Sequence, residues 1–192
     1  MAQRTKDGGD YRTRLMNKNY RKNRILALEI RSRRLAFAVL EETNHLLECG
    51  IRRWCSDVKS AKCAMERIDP LLMLYSPSVV VLKRMGDTNK MRKRKKIIRA
   101  IKWTLTKRFI DVHMVGRADI KEAFRESGSQ NKYVIAATIA QMFPELKWKL
   151  PQKRRPWQPE RYNAAIFDAV ALAITCRTRC GVSVKPQGVK EM

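Results

Sequence analysis

Acidic side chains are scarce in these 192 residues. Eighteen aspartates and glutamates stand against 42 lysines and arginines, a formal net charge of +24. Such a charge destabilises a compact chain by self-repulsion unless a polyanion absorbs it. Nucleic acid is the expected sink, because each neutralised phosphate releases a counterion. A membrane surface is the competing one, but no basic amphipathic helix with a strong apolar face stands out. Long apolar runs are also missing, as is any apolar stretch behind the N-terminal charges. Neither a membrane span nor a signal peptide is therefore expected, and the sequence reads as a soluble, intracellular (cytoplasmic) protein. Cysteines number five, at 49, 55, 63, 176 and 180, without a CxxC pair. That odd set argues for reduced thiols over a disulfide framework. Cys176 with Cys180, or His45 with Cys49, could share a face, but zinc-ligand spacings are absent and small buried side chains explain them better.

The length suits one domain with tails. Residues 1–24 hold eight bases, two aspartates and Gly-Gly, and read as a disordered basic arm. Residues 25–180 read as the folded domain, and 181–192 as a flexible tail. Strands are expected at 25–30, 35–41 and 46–54, the first two joined by a turn carrying Arg31, Arg33 and Arg34. A helix over 57–75 follows the spacing of Val58, Ala61, Met65, Ile68, Leu72 and Tyr75, with Pro70 expected to kink or split it. "SPSVVVLKRM" reads as a strand buried on both faces. A basic helix at 89–108, a strand at 111–115, a helix at 130–143, a proline-punctuated loop at 150–161 and an apolar helix at 160–176 complete the chain. This order describes an α/β layered sandwich.

Two carboxylates stand where apolar residues would be expected: Glu29 at the end of the first strand and Asp168 inside "NAAIFDAVALAIT". An unpaired buried carboxylate costs several kcal/mol, roughly, so each must be paired, hydrogen-bonded or metal-bound, unless it simply faces water. Together they suggest a shared polar centre.

Three stretches resemble RuvC-type Holliday junction resolvases of the RNase H-like superfamily: "ILALEIRSRRLAFAVL", "IKEAFRESGSQNK" and "FDAVALAIT". The resemblance implies a five-stranded mixed sheet flanked by helices, with acids converging at one sheet edge. It also implies magnesium-dependent phosphodiester hydrolysis at branched DNA by a homodimer, the apolar side of the 130–143 helix being a candidate interface if it is not core. It lays the family's first metal-binding Asp on Glu29, its last on Asp168, and two DNA-contacting lysines on Lys121 and Lys132. The other two family acids fall on Lys83 and Ala165. A protonated Lys83 opposes a divalent ion: unit charges ~4 Å apart at an effective dielectric of ~20 interact by about 4 kcal/mol. The ammonium is expected instead to sit between Glu29 and Asp168 and neutralise both, in place of Mg2+. Asp87, Glu41 and Glu42 are the acids that a shifted strand would offer as replacements.

Between Lys83 and Arg108 lie twelve bases and one acid, Asp87. The run includes Arg92, Lys93, Arg94, Lys95 and Lys96, and so dense a run is expected to contact phosphates. Trp103 is expected on the core side of that helix. In the 150–161 loop, Lys153, Arg154, Arg155 and Arg161 interleave with Trp157, which would either stack on an unpaired base or cover the sheet edge. With Arg31, Arg33, Lys121 and Lys132 these make up the expected nucleic-acid surface. The reading is a binder of DNA junctions or structured RNA on a RuvC-like scaffold with a degenerate nuclease centre. The alternatives are an active Mg2+-dependent endonuclease (Glu29 and Asp168 catalytic, with Asp87) and a structural subunit of a ribonucleoprotein.

Overall fold

The computed structural model describes residues 24–41, 45–54, 60–86, 91–127, 131–153, 155, 157–158 and 160–179. Of the expected N-terminal arm only Arg24 is among these residues; the rest of it, the expected tail 181–192, and Asp87, Glu42 and Arg154 lie outside them.

Alternation and turn chemistry build the first three strands into a meander: β1 (Arg24–Ile30), β2 (Arg34–Glu41) and β3 (His45–Arg53). The β1–β2 connection is a two-residue loop, Ser32-Arg33, closed by the Arg31 N–H donating to the Arg34 carbonyl at 2.9 Å. β4 (Val79–Lys83) pairs parallel to β1, and β5 (Asp111–Val115) parallel to β4, giving a mixed sheet of order β3-β2-β1-β4-β5. Parallel neighbours need crossover connections. α1 (Ala61–Tyr75) and α2 (Arg92–Lys107) supply them on one face. The other face carries α4 (Lys132–Met142) and α5 (Ala164–Arg179); a short α3 (Arg117–Ala123) follows β5 and meets the end of α5. Among the described residues no helix is long and apolar enough to cross a membrane.

Several boundaries differ from the expected ones. α1 starts at Ala61, where the Ser60 side chain accepts the Cys63 N–H at 3.2 Å, and it continues through Pro70 as one helix. α5 begins at Ala164, four residues later than expected, and ends at Arg179. α3 was not anticipated; Gly116 N–H donates to Asp119 Oδ2 at 2.7 Å and starts it. Trp103 is a correction: it is 61% exposed, with the Lys107 ammonium 3.8 Å from its ring centroid, because the apolar stripe of α2 is Ile97, Ile98, Ile101 and Leu105. On α4, Ile135, Ala136, Ile139 and Ala140 are buried in the core of this chain.

The two faces of the sheet are packed differently. Toward α1 and α2 it presents Leu26, Leu28, Leu35, Phe37 and Val39; toward α5 it presents Ala27, Ala36 and Ala38. α5 is buried from Ala164 to Arg177 at every position except Asp168 and carries alanines at 165, 169, 171 and 173. Alanine meeting alanine brings helix and sheet into close approach, and this sets how near Asp168 comes to the strand ends. Ala38→Leu is therefore expected to overpack this layer and cost about 1–3 kcal/mol. Leu28→Ala on the opposite face should cost about 2–5 kcal/mol by leaving a cavity. Urea unfolding of both variants checks these values.

Candidate functional site

Alternation along β1 sends Ile25, Ala27 and Glu29 to the α5 face, and along β4 it sends Val81 there too, with Lys83 next in line. Since Leu28 pairs with Leu82, Glu29 and Lys83 are neighbours at the carboxyl ends of two parallel strands. In open α/β sheets this is the edge where ligands bind. Lys83 Nζ lies 3.0 Å from Glu29 Oε1. Glu29 is 5% exposed, and its Oε2 is buried with no hydrogen-bond partner among the described residues. Burial pushes the Glu29 carboxyl above its usual range; Lys83 opposes this, Asp168 adds to it and Arg31 opposes it.

Arg31 joins the two halves of the centre. It follows the last residue of β1, and its backbone is braced by the buried Trp54, whose indole N–H donates to the Arg31 carbonyl at 3.0 Å. Its guanidinium reaches Glu29 Oε1 at 3.4 Å, Glu160 Oε2 at 2.6 Å and Asp168 Oδ2. Burial acts to lower the Arg31 pKa but is outweighed by the carboxylates of Asp168, Glu160 and Glu29, so the guanidinium is held charged. Lys132 enters from the start of α4, where the Asn131 side chain caps the helix by accepting the Tyr133 N–H at 3.0 Å. Its ammonium lies 2.7 Å from Asp168 Oδ2 and also donates to Glu160 Oε1. Three carboxylates and three cations thus form one network.

This corrects the expected geometry. Lys83 neutralises Glu29 alone, while Asp168 is held by Arg31 and Lys132. Neither acid faces bulk water. Glu160, the sole acid of the 150–161 loop, was not singled out in the sequence. Glu41 is no replacement ligand: it pairs with Arg24 at 2.8 Å, at the opposite end of β1. Ala165 is buried in the core.

Among the described residues, no three of His, Cys, Asp and Glu are grouped so as to hold a metal ion. Each centre carboxylate already has a cation within 3.0 Å: Lys83 on Glu29, Lys132 on Asp168, Arg31 on Glu160. A divalent ion placed there would meet three fixed positive charges, so the residues as arranged do not fit a two-metal centre.

Other expected residues surround this centre. Arg94 donates to Ser32 Oγ at 2.6 Å, which sets the start of α2 against the hairpin loop; Arg92, Lys93 and Lys96 are exposed there and Lys95 is half-buried. Arg33 is exposed in the same loop, and Lys121 is half-buried near the end of α3. Arg34 and Arg53 each place a guanidinium carbon 5.0 Å from the Tyr162 ring centroid. Lys153 and Arg155 are exposed, and Trp157 is 74% exposed.

No family model and no curated protein matches the chain. Solved structures do match. Thermus thermophilus RuvC in complex with Holliday junction substrate aligns at a TM-score of 0.58 and 17% identity, over 83% of this chain and 97% of that one. The yeast mitochondrial Holliday junction resolvase Ydc2 aligns at 0.58 and 9% identity, over 91% and 88%. The fowlpox virus resolvase with substrate Holliday junction DNA aligns at 0.50 and 16% identity, over 82% and 98%. The five-stranded mixed sheet flanked by helices is therefore a RuvC-like resolvase fold.

The network has a pH signature. Burial acts to raise the Glu160 pKa but is outweighed by hydrogen bonds from Lys132 and Arg31 and by their charges, which bring it from 4.5 down to about 2. A carboxylate whose folded pKa lies below its unfolded value adds stability above the unfolded pKa and loses it as pH falls through the folded one. Glu160→Gln should therefore be less stable than the parent at pH 7, with the gap closing between about pH 4.5 and 2. Denaturant unfolding across pH measures this; a gap that stayed constant would place the stabilising effect elsewhere.

Proposed function

We propose that this chain binds branched or structured nucleic acid by shape and backbone charge, on a RuvC-like scaffold whose centre is held by ion pairs where a nuclease would hold magnesium. The observation that carries the reading is the network itself. Lys83 stands on Glu29, and Arg31 and Lys132 stand on Asp168 and Glu160. Two of the structural neighbours are in complex with Holliday junction substrate, which supports a nucleic-acid partner. Phosphates would be met by the rim of the same sheet edge: Arg33 on the hairpin loop, Arg92, Lys93, Arg94, Lys95 and Lys96 on α2, Lys121 on α3, and Lys153 and Arg155 in the loop before α5. Contacts of this kind position a nucleic acid without reading its bases.

A second reading, a Mg2+-dependent endonuclease, is favoured by Glu160. The loop delivers a third carboxylate, and one Glu29 oxygen has no hydrogen-bond partner among the described residues. It requires incoming phosphates to draw Arg31 and Lys132 away from the acids.

One assay separates the two readings. The full chain is incubated with four-way junction, duplex and single-stranded substrates, with and without Mg2+ or chelator. The first reading expects junction binding that chelation does not alter, and intact strands. Chelator-sensitive cleavage, abolished by Glu29→Gln, would establish the second. The phosphate contacts have a separate test. Replacing Arg92, Lys93 and Lys96 with alanine should flatten the slope of log affinity against log salt by about three, one per lost contact. An unchanged slope would remove α2 from the interface.

A further inference from the structure

Trp157 takes no part in the ion-pair centre, yet the segment that carries it is anchored there. Glu160, three residues on, is held by Arg31 at 2.6 Å and by Lys132. Tyr162 is flanked by Arg34 and Arg53. Arg161 donates to Gln152 Oε1 at 2.6 Å and ties the two limbs of the loop together. Around the tryptophan, Gln158 N–H donates to the Arg155 carbonyl at 3.1 Å, and Arg155 N–H donates to Gln158 Oε1 at 3.0 Å, closing a turn from both sides. The fold therefore presents an indole from a braced turn and leaves it 74% exposed, with the Arg155 guanidinium 5.6 Å from its centroid.

We infer that Trp157 is a stacking platform for an unpaired nucleobase, with Arg155 holding the adjoining phosphate. This rests on the nucleic-acid reading above and adds the ligand feature selected: a base outside a duplex. An apolar ring with a guanidinium beside it suits a flat aromatic ligand with a negative backbone, since base–aromatic stacking is tolerant of sequence and cations track the phosphates. Paired bases in a continuous duplex present no free face to the ring. Trp103, also largely exposed and also capped by a cation, lies toward the end of α2 distant from the hairpin loop. It serves as the internal control.

Affinities are measured by fluorescence anisotropy for the full chain and for Trp157→Ala, Trp157→Phe and Trp103→Ala. The substrates are a continuous duplex, the same duplex with a single-stranded gap, and that gap built from abasic residues. Trp157→Ala should weaken gap binding by roughly tenfold or more and leave duplex binding unchanged. Trp157→Phe should retain most of the preference, Trp103→Ala should behave as the parent, and abasic residues should reproduce the loss in the parent. Equal losses on gap and duplex, or no loss on either, would overturn the stacking role while leaving nucleic-acid binding in place. Failure of the parent chain to bind any substrate would overturn the functional reading itself, and this inference with it. Thermal unfolding of each variant establishes that the exposed substitution leaves the fold intact.

Discussion

The rest of the site depends on a buried carboxylate that cannot stand alone. Glu29 is placed on the inner face of the sheet by the alternation of β1, where only 5% of it reaches solvent. Leaving such a charge uncompensated costs several kcal/mol, roughly, and breaking a buried pair by removing one partner costs about 3–5 kcal/mol. Lys83 compensates it from the adjacent strand, and Arg31 from the end of its own. Once Arg31 is committed to the centre, its two terminal nitrogens fix Asp168 on α5 and Glu160 in the preceding loop. The centre thereby joins the sheet, a helix and a loop that are far apart in sequence. Pairs of this kind add little net stability compared with apolar packing; they specify which surfaces meet.

That specification links the centre to the surface around it. The hairpin loop that carries Arg31 touches α2 through Arg94 and Ser32, and the residues just before α5 are tied to the same hairpin through Glu160 and Tyr162. A strongly basic rim thus surrounds a centre whose own charges cancel. Its positive potential comes from the rim, which lies where a polyanion can reach it.

Much of the fold was legible in the sequence because period-two alternation and a doubly buried apolar run are strong signals. β1, β2, β3 and β5 fall within a residue of their expected places, and β4 lies inside the expected stretch, as its apolar centre. Helix starts were less legible: α5 begins at Ala164 because residues up to Asn163 are occupied by the bracing loop, which an apolar count does not reveal. Trp103 was misplaced since aromatic character predicts burial on average, whereas the face on which a residue falls decides it. In the site, Glu29 and Asp168 were identified as odd residues for their positions, and Lys83 through the resemblance. The partnership was not: which cation reaches which acid depends on side-chain reach across tertiary contacts. Lys132 came into view only through resemblance, and Glu160 carried no signal beyond being a single acid in a basic loop.

Titration of manganese into the purified chain, followed by electron paramagnetic resonance, tests the cation-filled centre most directly. With Lys83, Arg31 and Lys132 in place, the free-ion signal should persist undiminished, and Glu29→Gln should titrate identically. Stoichiometric loss of that signal in the parent chain, abolished by Glu29→Gln, would mean that the carboxylates hold metal and that the ion pairs yield to it.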